Sequence, residues 1–472
     1  MIKRTFLDKT NTIFKDSHEN FGLHPISMLN YGLEKSRVLL HFDINEIHEF
    51  INSCPEGSEI KHTLKMTNCG SIDFKNFDKK IPSYDVNGVK SRATSFTIYA
   101  FPIKNNATDG YVSWDEGVGF DSNADFFDSG KSSVSTEGSN WFNRKSGLKW
   151  IDEGCIGMYP DKSNVIAYQH FDHGNENIEL DITEYVNALL DDNSNYDWSI
   201  SNDGLCLSIE PHIEGLDEED FRDTKYVGFF NNKTNTFFAP CIESRCNDYI
   251  KDNRYNFTIG KDNKLFLYVE TENGFTDTDT LPMCTISDCM CETELVVKRF
   301  NKGIYYAEIP SNLSARFDAD VIYYDVWSNI SIDGVFYENV EQEFVTHKNI
   351  LTSNKENNYE PSLHGINDNE NLLDGEIRKV CVKFRIPYST KYDVLDNTEY
   401  RIYTKDSDRE IEVISWDKIN SAGMENYFLL NTSELVCGKY YVDIRVRTKF
   451  QQRVHKNVLH FSRVNNITKI TH

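Results

Sequence analysis

YYVDIRVRT (440–448) alternates between apolar and polar positions near the end of this 472-residue chain. The apolar residues that would share one face of an extended strand are Tyr440, Val442, Ile444 and Val446, and those on the opposite face are Asp443, Arg445 and Arg447. Because successive side chains of a strand point to opposite faces, this period of two predicts a β-strand with one buried face.

The same alternation recurs along the chain, in SFTIYAFPI (95–103), LCLSIE (205–210) and KLFLYVE (264–270). Turn dipeptides that tolerate positive φ recur between such runs: Asn87-Gly88, Asp109-Gly110, Asp203-Gly204, Asn273-Gly274 and Asp333-Gly334. Only short helices are indicated, over 43–51 and 181–190. Many short strands with frequent turns predict an all-β chain built of β-sandwiches.

The domain organisation follows from two polar segments and one internal similarity. ELVVKRFNKGIYYAEIP (294–310) and ELVCGKYYVDIRV (434–446) share Glu-Leu-Val and then a glycine before an aromatic strand. We therefore predict two Ig-like β-sandwich domains, at 263–350 and 376–472. The Asn-rich, charged stretch 351–375 between them is predicted to be a linker, and residues 33–255 a larger sandwich.

Composition limits the kinds of partner. The net charge is −24, which argues against a protein that grips nucleic-acid phosphates, although it permits one that encloses DNA without holding it. No apolar run reaches the length of a membrane span or a signal peptide, so we expect no membrane partner and synthesis in the cytoplasm. The 11 cysteines are scattered and odd in number, which favours reduced, buried thiols.

An acid-rich stretch, YVSWDEGVGFDSNADFFDSG (111–130), is a candidate for chemistry. Its acids within 115–128 are Asp115, Glu116, Asp121, Asp125 and Asp128. Asp121 and Asp125 could ligate calcium, but the EF-hand spacing is missing, and neighbouring strand residues such as Asp115 and Glu116 point apart, which disfavours a glycosidase pair. A solvated loop is the favoured interpretation.

The cysteines form a second candidate set. Cys241, Cys246, Cys284, Cys289 and Cys291 lack the paired spacing of a structural zinc site, which favours buried thiols. With no nucleophile, phosphate-binding or metalloprotease motif in the sequence, we predict no catalytic, cofactor-binding or metal-binding residue and no cofactor.

Aromatic residues in the same region form a third candidate set, composed of Trp114, Trp141, Trp150 and Tyr159. Exposed beside polar groups, they would stack on sugars; packed, they would form core or interface. Core or interface is the favoured interpretation, because tryptophan buries well.

Several motifs stand in an order that resembles a known domain. They are SRVLLHFDINEI (36–47), SWDEGVGFD (113–121), NWFNRKSGLKW (140–150), IELDITEYVNALL (178–190), DGLCLSIEP (203–211) and YVGFFNNKTNTFFAPCIES (226–244). Together they resemble a DNRLRE-type β-sandwich over about residues 33–250. With RTFLDKTNTI (4–13) and LNYG (29–32), the whole chain resembles virion structural proteins of crAss-like short-tailed bacteriophages.

That resemblance implies a tail ring, collar or hub protein without enzymatic activity, located in the virion after assembly in the host cytoplasm. Its expected partners are copies of itself in a ring and neighbouring tail or portal-proximal proteins, around a channel that encloses DNA. Residues 1–32 are polar and turn-rich with apolar residues at irregular spacing, so we expect an assembly arm that becomes ordered on a neighbour. The alternative is a carbohydrate-binding adhesin module on the virion surface.

Overall fold

The computed structural model describes residues 1–32, 35–69, 91–92, 95–104, 112–119, 136–191, 203–216, 225–234, 236–272, 274–287, 292–348, 359–386, 392–406, 409–422, 425–447 and 452–465. The chain is all-β, and its described helices are few and short. It forms two compact units, one of residues 2–52 and 60–245, the other of residues 246–472 with Met1 and residues 53–59. The first is a β-sandwich, and the second contains two Ig-like β-sandwich domains.

Among its described residues, the first unit has three sheets, one small hairpin and two α-helices. Its strands are β1 (Ile2–Phe6), β2 (Lys9–Phe14), β3 (Ile26–Tyr31), β4 (Ser36–His41), β5 (Ile60–Met66), β6 (Ser91–Arg92), β7 (Phe96–Pro102), β8 (Asn143–Lys145), β9 (Leu148–Lys149), β10 (Ala167–Phe171), β11 (Ile178–Asp181), β12 (Leu205–Ile209), β13 (Lys225–Phe230) and β14 (Cys241–Cys246). The helices are α1 (Ile44–Ser53) and α2 (Thr183–Leu190). The sheet orders are β1-β14-β5-β11, β10-β7-β12-β4-β2 and β3-β13-β6, and β8 pairs with β9.

The central strands of the five-stranded sheet of this unit are buried on both faces, whereas its edge strand β10 is partly exposed. Every residue of β7 and of β12 is buried. Val38, Leu40 and Leu205 face the main core, whereas Leu39 and Cys206 face a second cluster. The alternating pattern correctly predicted strands here, but the face predicted to be solvated is buried, because residues from the 112–158 region cover the outer side of this sheet.

The N-terminal residues are strands of this sandwich rather than an arm, so the prediction for residues 1–32 is wrong. β1 pairs with β14, β2 with β4, and β3 with β13, all antiparallel. Leu7 and Ile13 are buried in the two clusters. Strands covered on both faces need no alternation, and this explains the irregular spacing that suggested an unstructured arm.

The first Ig-like domain folds one continuous path of strands into two layers. Its strands are β15 (Phe257–Thr258), β16 (Asn263–Tyr268), β17 (Glu270–Thr271), β18 (Gly274–Phe275), β19 (Met283–Ser287), β20 (Glu292–Asn301), β21 (Ile304–Ile309), β22 (Ile322–Ser328), β23 (Ser331–Ile332), β24 (Val335–Phe336) and β25 (Val340–His347), with helix α3 (Ser311–Ser314). The order is β15-β25-β22-β19-β20-β21-β16. β20 pairs with β19 through its first half and with β21 through its second, so it joins both layers around Trp327 and Phe344.

The second Ig-like domain packs two sheets face to face. Its strands are β26 (Glu360–His364), β27 (Glu370–Leu373), β28 (Ile377–Arg385), β29 (Tyr392–Asp393), β30 (Thr398–Asp406), β31 (Arg409–Lys418), β32 (Asn420–Ala422), β33 (Glu425–Asn431), β34 (Gly438–Arg447) and β35 (Gln452–Val464). The sheet orders are β26-β28-β33-β32, with β29 on β28, and β27-β35-β34-β30-β31. Tyr400 and Phe428 stack at 4.0 Å between ring centroids and join the two sheets.

The predicted linker 351–375 is partly wrong, since residues 360–373 hold β26 and β27. Each is the outermost strand of its sheet, β26 antiparallel to β28 and β27 parallel to β35. Edge strands tolerate polar side chains, so an Asn-rich, charged composition did not reveal them. Residues 351–358 lie outside the described part of the chain.

The two Ig-like domains are joined by a short β-interaction within their unit. Lys251 forms a parallel bridge with Ser421. The Ser421 amide donates to the Ile250 carbonyl at 3.1 Å, and the Asp252 amide donates to the Ser421 carbonyl at 3.1 Å. Lys251 Nζ also lies 3.0 Å from a carboxylate oxygen of Asp396. These backbone contacts couple the two domains more firmly than a flexible linker would.

Candidate functional site

The three predicted tryptophans lie in the outer cluster of the first sandwich. Trp114, Trp141 and Trp150 are 1%, 0% and 7% exposed. Trp114 Nε1 donates to the Asp203 carbonyl at 2.9 Å, and Trp150 Nε1 donates to the Asn140 carbonyl at 2.7 Å. The core interpretation is confirmed for these residues, and they present no ring to a sugar; Tyr159 alone of the set is exposed.

A fully buried ion cluster fastens this tryptophan-rich region to the sheet. Arg37 Nη2 lies 2.9 Å from Glu210 Oε1, and Lys35 Nζ lies 2.5 Å from Oε2. The Arg37 guanidinium also lies 4.9 Å from the centroid of the Trp141 ring and donates to the Gly154 carbonyl at 2.7 Å. The Glu210 carboxylate is saturated by these partners and closed to solvent, which suits a structural role rather than proton transfer to a substrate.

The acid-rich stretch is only partly described, because Asp121, Asp125 and Asp128 lie outside the described residues. Asp115 is exposed, as expected for a residue in a solvated loop. Glu116 behaves differently: one carboxylate oxygen accepts from the Thr10 amide at 2.8 Å and the other pairs with Lys233 Nζ at 2.7 Å. Glu116 therefore anchors the start of this segment to the sandwich, which corrects the solvated-loop interpretation at that residue.

No group of three His, Cys, Asp or Glu side chains suited to a metal occurs among the described residues. Of the cysteines weighed as a zinc set, Cys241, Cys246 and Cys284 are buried free thiols, and Cys289 and Cys291 lie outside the described chain. Burial raises the pKa of the Cys284 thiol, which keeps it protonated. These three thiols match the predicted buried state, as do Cys54, Cys155 and Cys206, whereas Cys69 and Cys381 are partly buried and Cys437 is exposed.

A short hairpin of the first Ig-like domain presents an apolar tip to solvent. Val335, Phe336 and Tyr337 follow one another and are 57%, 75% and 52% exposed. Directly before them, Asp333 and Gly334 have φ values of 51° and 75°, which form the tight turn that joins β23 to β24. We call residues 331–337 the hairpin tip.

The hairpin tip is held rigidly at its base. The two oxygens of the Asp279 carboxylate accept from the Asp333 and Gly334 amides at 3.0 and 2.9 Å. These backbone hydrogen bonds lower the pKa of Asp279, so its carboxylate stays charged. The Asp279 amide donates to the Ser331 carbonyl at 2.8 Å. A tip fixed in this way loses little conformational entropy when it binds a partner.

Sequence reasoning identified the Asp333-Gly334 turn but missed the surface that it carries. The available signal was the run Val335-Phe336-Tyr337, three large apolar residues without alternation directly after a hairpin turn. One face of a two-residue strand pair cannot bury all three side chains, so such a run implies exposure.

A buried acid lies at the junction of the two Ig-like domains. Asp252 is 4% exposed, and its carboxylate accepts from the Arg254 amide at 3.1 Å. Burial raises the pKa of this carboxyl group from 3.8 to about 6, against the opposing charge of Arg254. Because the folded state holds this proton more tightly than the unfolded chain, Asp252 adds stability as the pH falls from above 6 toward 4.

Replacing Asp252 with Asn is therefore expected to stabilise the Ig-like unit at pH 8 by about 2–3 kcal/mol, the equivalent of a pKa raised by about two units. Roughly half of that gain should disappear by pH 5, where the wild-type carboxyl is mostly protonated when folded. Urea unfolding at pH 8 and at pH 5 measures the difference in the free energy of unfolding between the variant and the wild type. Asp333→Asn, at an exposed turn, is the control for the loss of one negative charge. An equal effect of Asp252→Asn at both pH values would contradict the raised pKa of Asp252.

Comparison with known proteins finds only distant similarity to solved structures. No protein-family model matches the sequence, and no curated protein matches it. A titin structure matches with 11% identity over 46% of this chain and 97% of its own, with a TM-score of 0.14. Fibronectin(III)-like modules of CbhA from Clostridium thermocellum match with 10% identity over 47% and 95%, with a TM-score of 0.15.

A DUF4785 family protein from Legionella pneumophila matches with 8% identity over 96% of this chain and 91% of its own, with a TM-score of 0.17. Because these TM-scores are too low to support a shared fold, the sandwich architecture described above rests on the strand pairing within this chain.

Proposed function

We propose that this protein is a non-enzymatic structural subunit of a short-tailed bacteriophage virion, part of the tail ring, collar or hub. The hairpin tip is the observation that carries the proposal. Soluble monomers rarely display contiguous large apolar side chains without using them, whereas interfaces are enriched in Phe and Tyr. Each of Val335, Phe336 and Tyr337 would contribute about 1.5–3 kcal/mol if fully buried by a neighbouring subunit.

The virion context comes from the sequence resemblance and agrees with the chemistry of the chain. The described cysteines are free, as in a protein assembled in a host cytoplasm. The net charge of −24 would repel a DNA backbone, so a ring of such subunits could enclose a genome without retaining it. The partners proposed are copies of the same chain and the adjacent tail or portal-proximal proteins.

A double substitution at the hairpin tip, Phe336→Ser with Tyr337→Ser, tests the proposal. The wild-type protein is expected to form rings in negative-stain images and a concentration-dependent oligomer by sedimentation velocity. The variant should remain monomeric with an unchanged melting temperature, because these side chains contribute almost nothing to the core.

Tyr168→Ser is the matched control, since Tyr168 is 70% exposed in the first sandwich and far from the hairpin in sequence. It should assemble like the wild type. A wild-type protein that stays monomeric at about 100 µM, far above a micromolar dissociation constant, would contradict self-assembly. Assembly of the tip variant at wild-type strength would remove the hairpin from the interface.

A further inference from the structure

One outer sheet face of the first Ig-like domain is acidic around an apolar centre. Glu341, Val326, Thr285 and Glu294 are directly opposite one another on four adjacent strands, β25, β22, β19 and β20. Glu343 lies opposite Tyr324 and Glu292 opposite Ser287 on the same face. We call this surface the acidic face.

The apolar side chains of the acidic face are open to solvent. Ile322 is 53% exposed, Tyr324 47%, Met283 41% and Val296 67%. The four glutamates at positions 292, 294, 341 and 343 are exposed, and none is in an ion pair with another described residue. At the margin, Glu308 differs, because Lys298 and Lys264 neutralise it. The acidic face thus combines uncovered apolar area with uncompensated negative charge.

The outer sheet face of the second Ig-like domain has the opposite character. On β30 and β34, Tyr403 lies opposite Tyr441, and the two rings stack at 5.4 Å. Lys405 Nζ lies 4.4 Å and Lys439 Nζ 5.7 Å from the centroid of the Tyr441 ring. Neither lysine is in an ion pair with a described residue, and both are exposed.

Arginines extend this surface along the same strands. Arg401 pairs with Asp443 at 2.6 Å, and Arg445 pairs with Glu399 at 2.5 Å while its guanidinium lies 4.1 Å from the Trp416 ring centroid. The acids near the arginines are therefore already engaged, and the two lysines remain available. We call this surface the basic face. In a chain with 74 acids and 50 bases, a sheet face with spare positive charge is unusual.

We infer that the acidic face of one copy docks on the basic face of a second copy, so that subunits associate head to tail. Two features of the faces support this pairing. Uncompensated glutamates meet lysines that have no ion pair among the described residues, and the exposed Tyr324 and Ile322 meet the half-buried Tyr441 ring, which is backed by the buried Tyr403. Because the two faces are different patches of one chain, the interface is heterologous, which generates a ring if the rotation closes.

This inference rests on the proposed function and specifies how the subunits would meet. Both faces belong to the same compact unit, whose domains are joined through Lys251 and Ser421, so the spacing between them is fixed within each copy. A fixed spacing favours closed rings of one size over chains of variable curvature.

Charge reversal of each face in the full-length protein tests the inference. The basic-face variant is Lys405→Glu with Lys439→Glu, and the acidic-face variant is Glu341→Lys with Glu343→Lys. Alone, each should raise the dissociation constant of self-association at least about tenfold at low salt, measured by sedimentation velocity. Mixed one to one, the two variants should associate again, because the reversed faces complement each other. Lys145→Glu with Lys149→Glu, exposed in the first sandwich, is the control and should associate like the wild type.

Unchanged melting temperatures establish that the variants are folded, and three results overturn the inference. Self-association of both charge-reversed variants at wild-type strength would exclude the acidic and basic faces from the subunit interface. If the hairpin-tip variant were nevertheless monomeric, the proposed structural role would stand without these two faces. If the one-to-one mixture of the two variants failed to self-associate, direct pairing of the acidic face with the basic face would be excluded. Binding of a single-stranded oligonucleotide, lost in the basic-face variant while self-association is unchanged, would assign the basic face to nucleic acid instead.

Discussion

Removal of residues 2–14 is expected to unfold the first sandwich while the Ig-like unit keeps its own cooperative transition. The deletion removes β1 and β2, which exposes the backbone edges of β14 and β4. The deletion also removes Leu7 and Ile13 from the core, and each lost side chain lowers the free energy of unfolding by about 1.5–3 kcal/mol. Loss of Asn11, whose side-chain oxygen accepts from the buried Phe21 amide at 3.1 Å, leaves that donor unpaired at a cost of about 1–3 kcal/mol. The total approaches the whole stability of a typical domain, about 5–15 kcal/mol.

Calorimetry and limited proteolysis of the full-length and truncated chains measure this effect. One of two thermal transitions should vanish, and new cleavage sites should appear within residues 35–245. Lys15→Ala is the control, because Lys15 is exposed immediately after β2 and its loss should leave both transitions in place. If the truncated chain retained both transitions and failed only to assemble, residues 2–14 would be an arm after all.

The N-terminal segment shows why periodicity alone misjudges a doubly covered strand. β2 has four consecutive buried residues, and three of them, Thr10, Asn11 and Thr12, are polar. Their partners come from distant parts of the chain: Asn232 accepts from the Thr10 hydroxyl, and Ser139 accepts from the Asn11 amide group. A buried strand whose polar side chains are hydrogen-bonded to residues distant in sequence has the composition of a loop. Its burial therefore cannot be predicted from the local sequence.

The strands whose burial the sequence predicted correctly are those with one solvated face, whereas β7 and β12 were predicted as strands but are buried on both faces. β34 is the clearest, since Tyr440, Val442 and Ile444 are buried while Arg445 and Arg447 point outward. For Trp114, Trp141 and Trp150 the sequence likewise favours core or interface, because large aromatic side chains are buried wherever a surface is available to pack against. Both predictions depend on local chemistry rather than on long-range register.

The candidate surfaces depend on register, and so they could not be predicted. Glu341, Thr285 and Glu294 lie in one row only when four strands, β25, β22, β19 and β20, pair in one particular alignment. A shift of one residue would turn each side chain to the opposite face. The hairpin tip is the exception, because its apolar run and its turn are contiguous in sequence.

Glu210→Ala is expected to produce the largest loss of stability from a single substitution in the first sandwich. It would leave Arg37, which is fully buried, and Lys35, which is nearly so, without their shared carboxylate. Removing one partner of a buried ion pair costs about 3–5 kcal/mol, because the remaining charge stays desolvated. The Ser208 hydroxyl, which donates to Glu210 at 2.7 Å, would lose its acceptor as well.

Urea unfolding monitored by tryptophan fluorescence measures this loss, since the Arg37 guanidinium lies against Trp141. Glu179→Ala is the matched control: Glu179 is an exposed residue of β11, and its loss should change the free energy of unfolding by less than about 0.5 kcal/mol. The double variant Glu210→Leu with Arg37→Met should be more stable than Glu210→Ala, because it removes the stranded guanidinium along with the carboxylate. Equal stability of Glu210→Ala and wild type would mean that water reaches this cluster, and the cluster would then be a cavity open to ligands rather than the fastening between the sheet and the tryptophan-rich region.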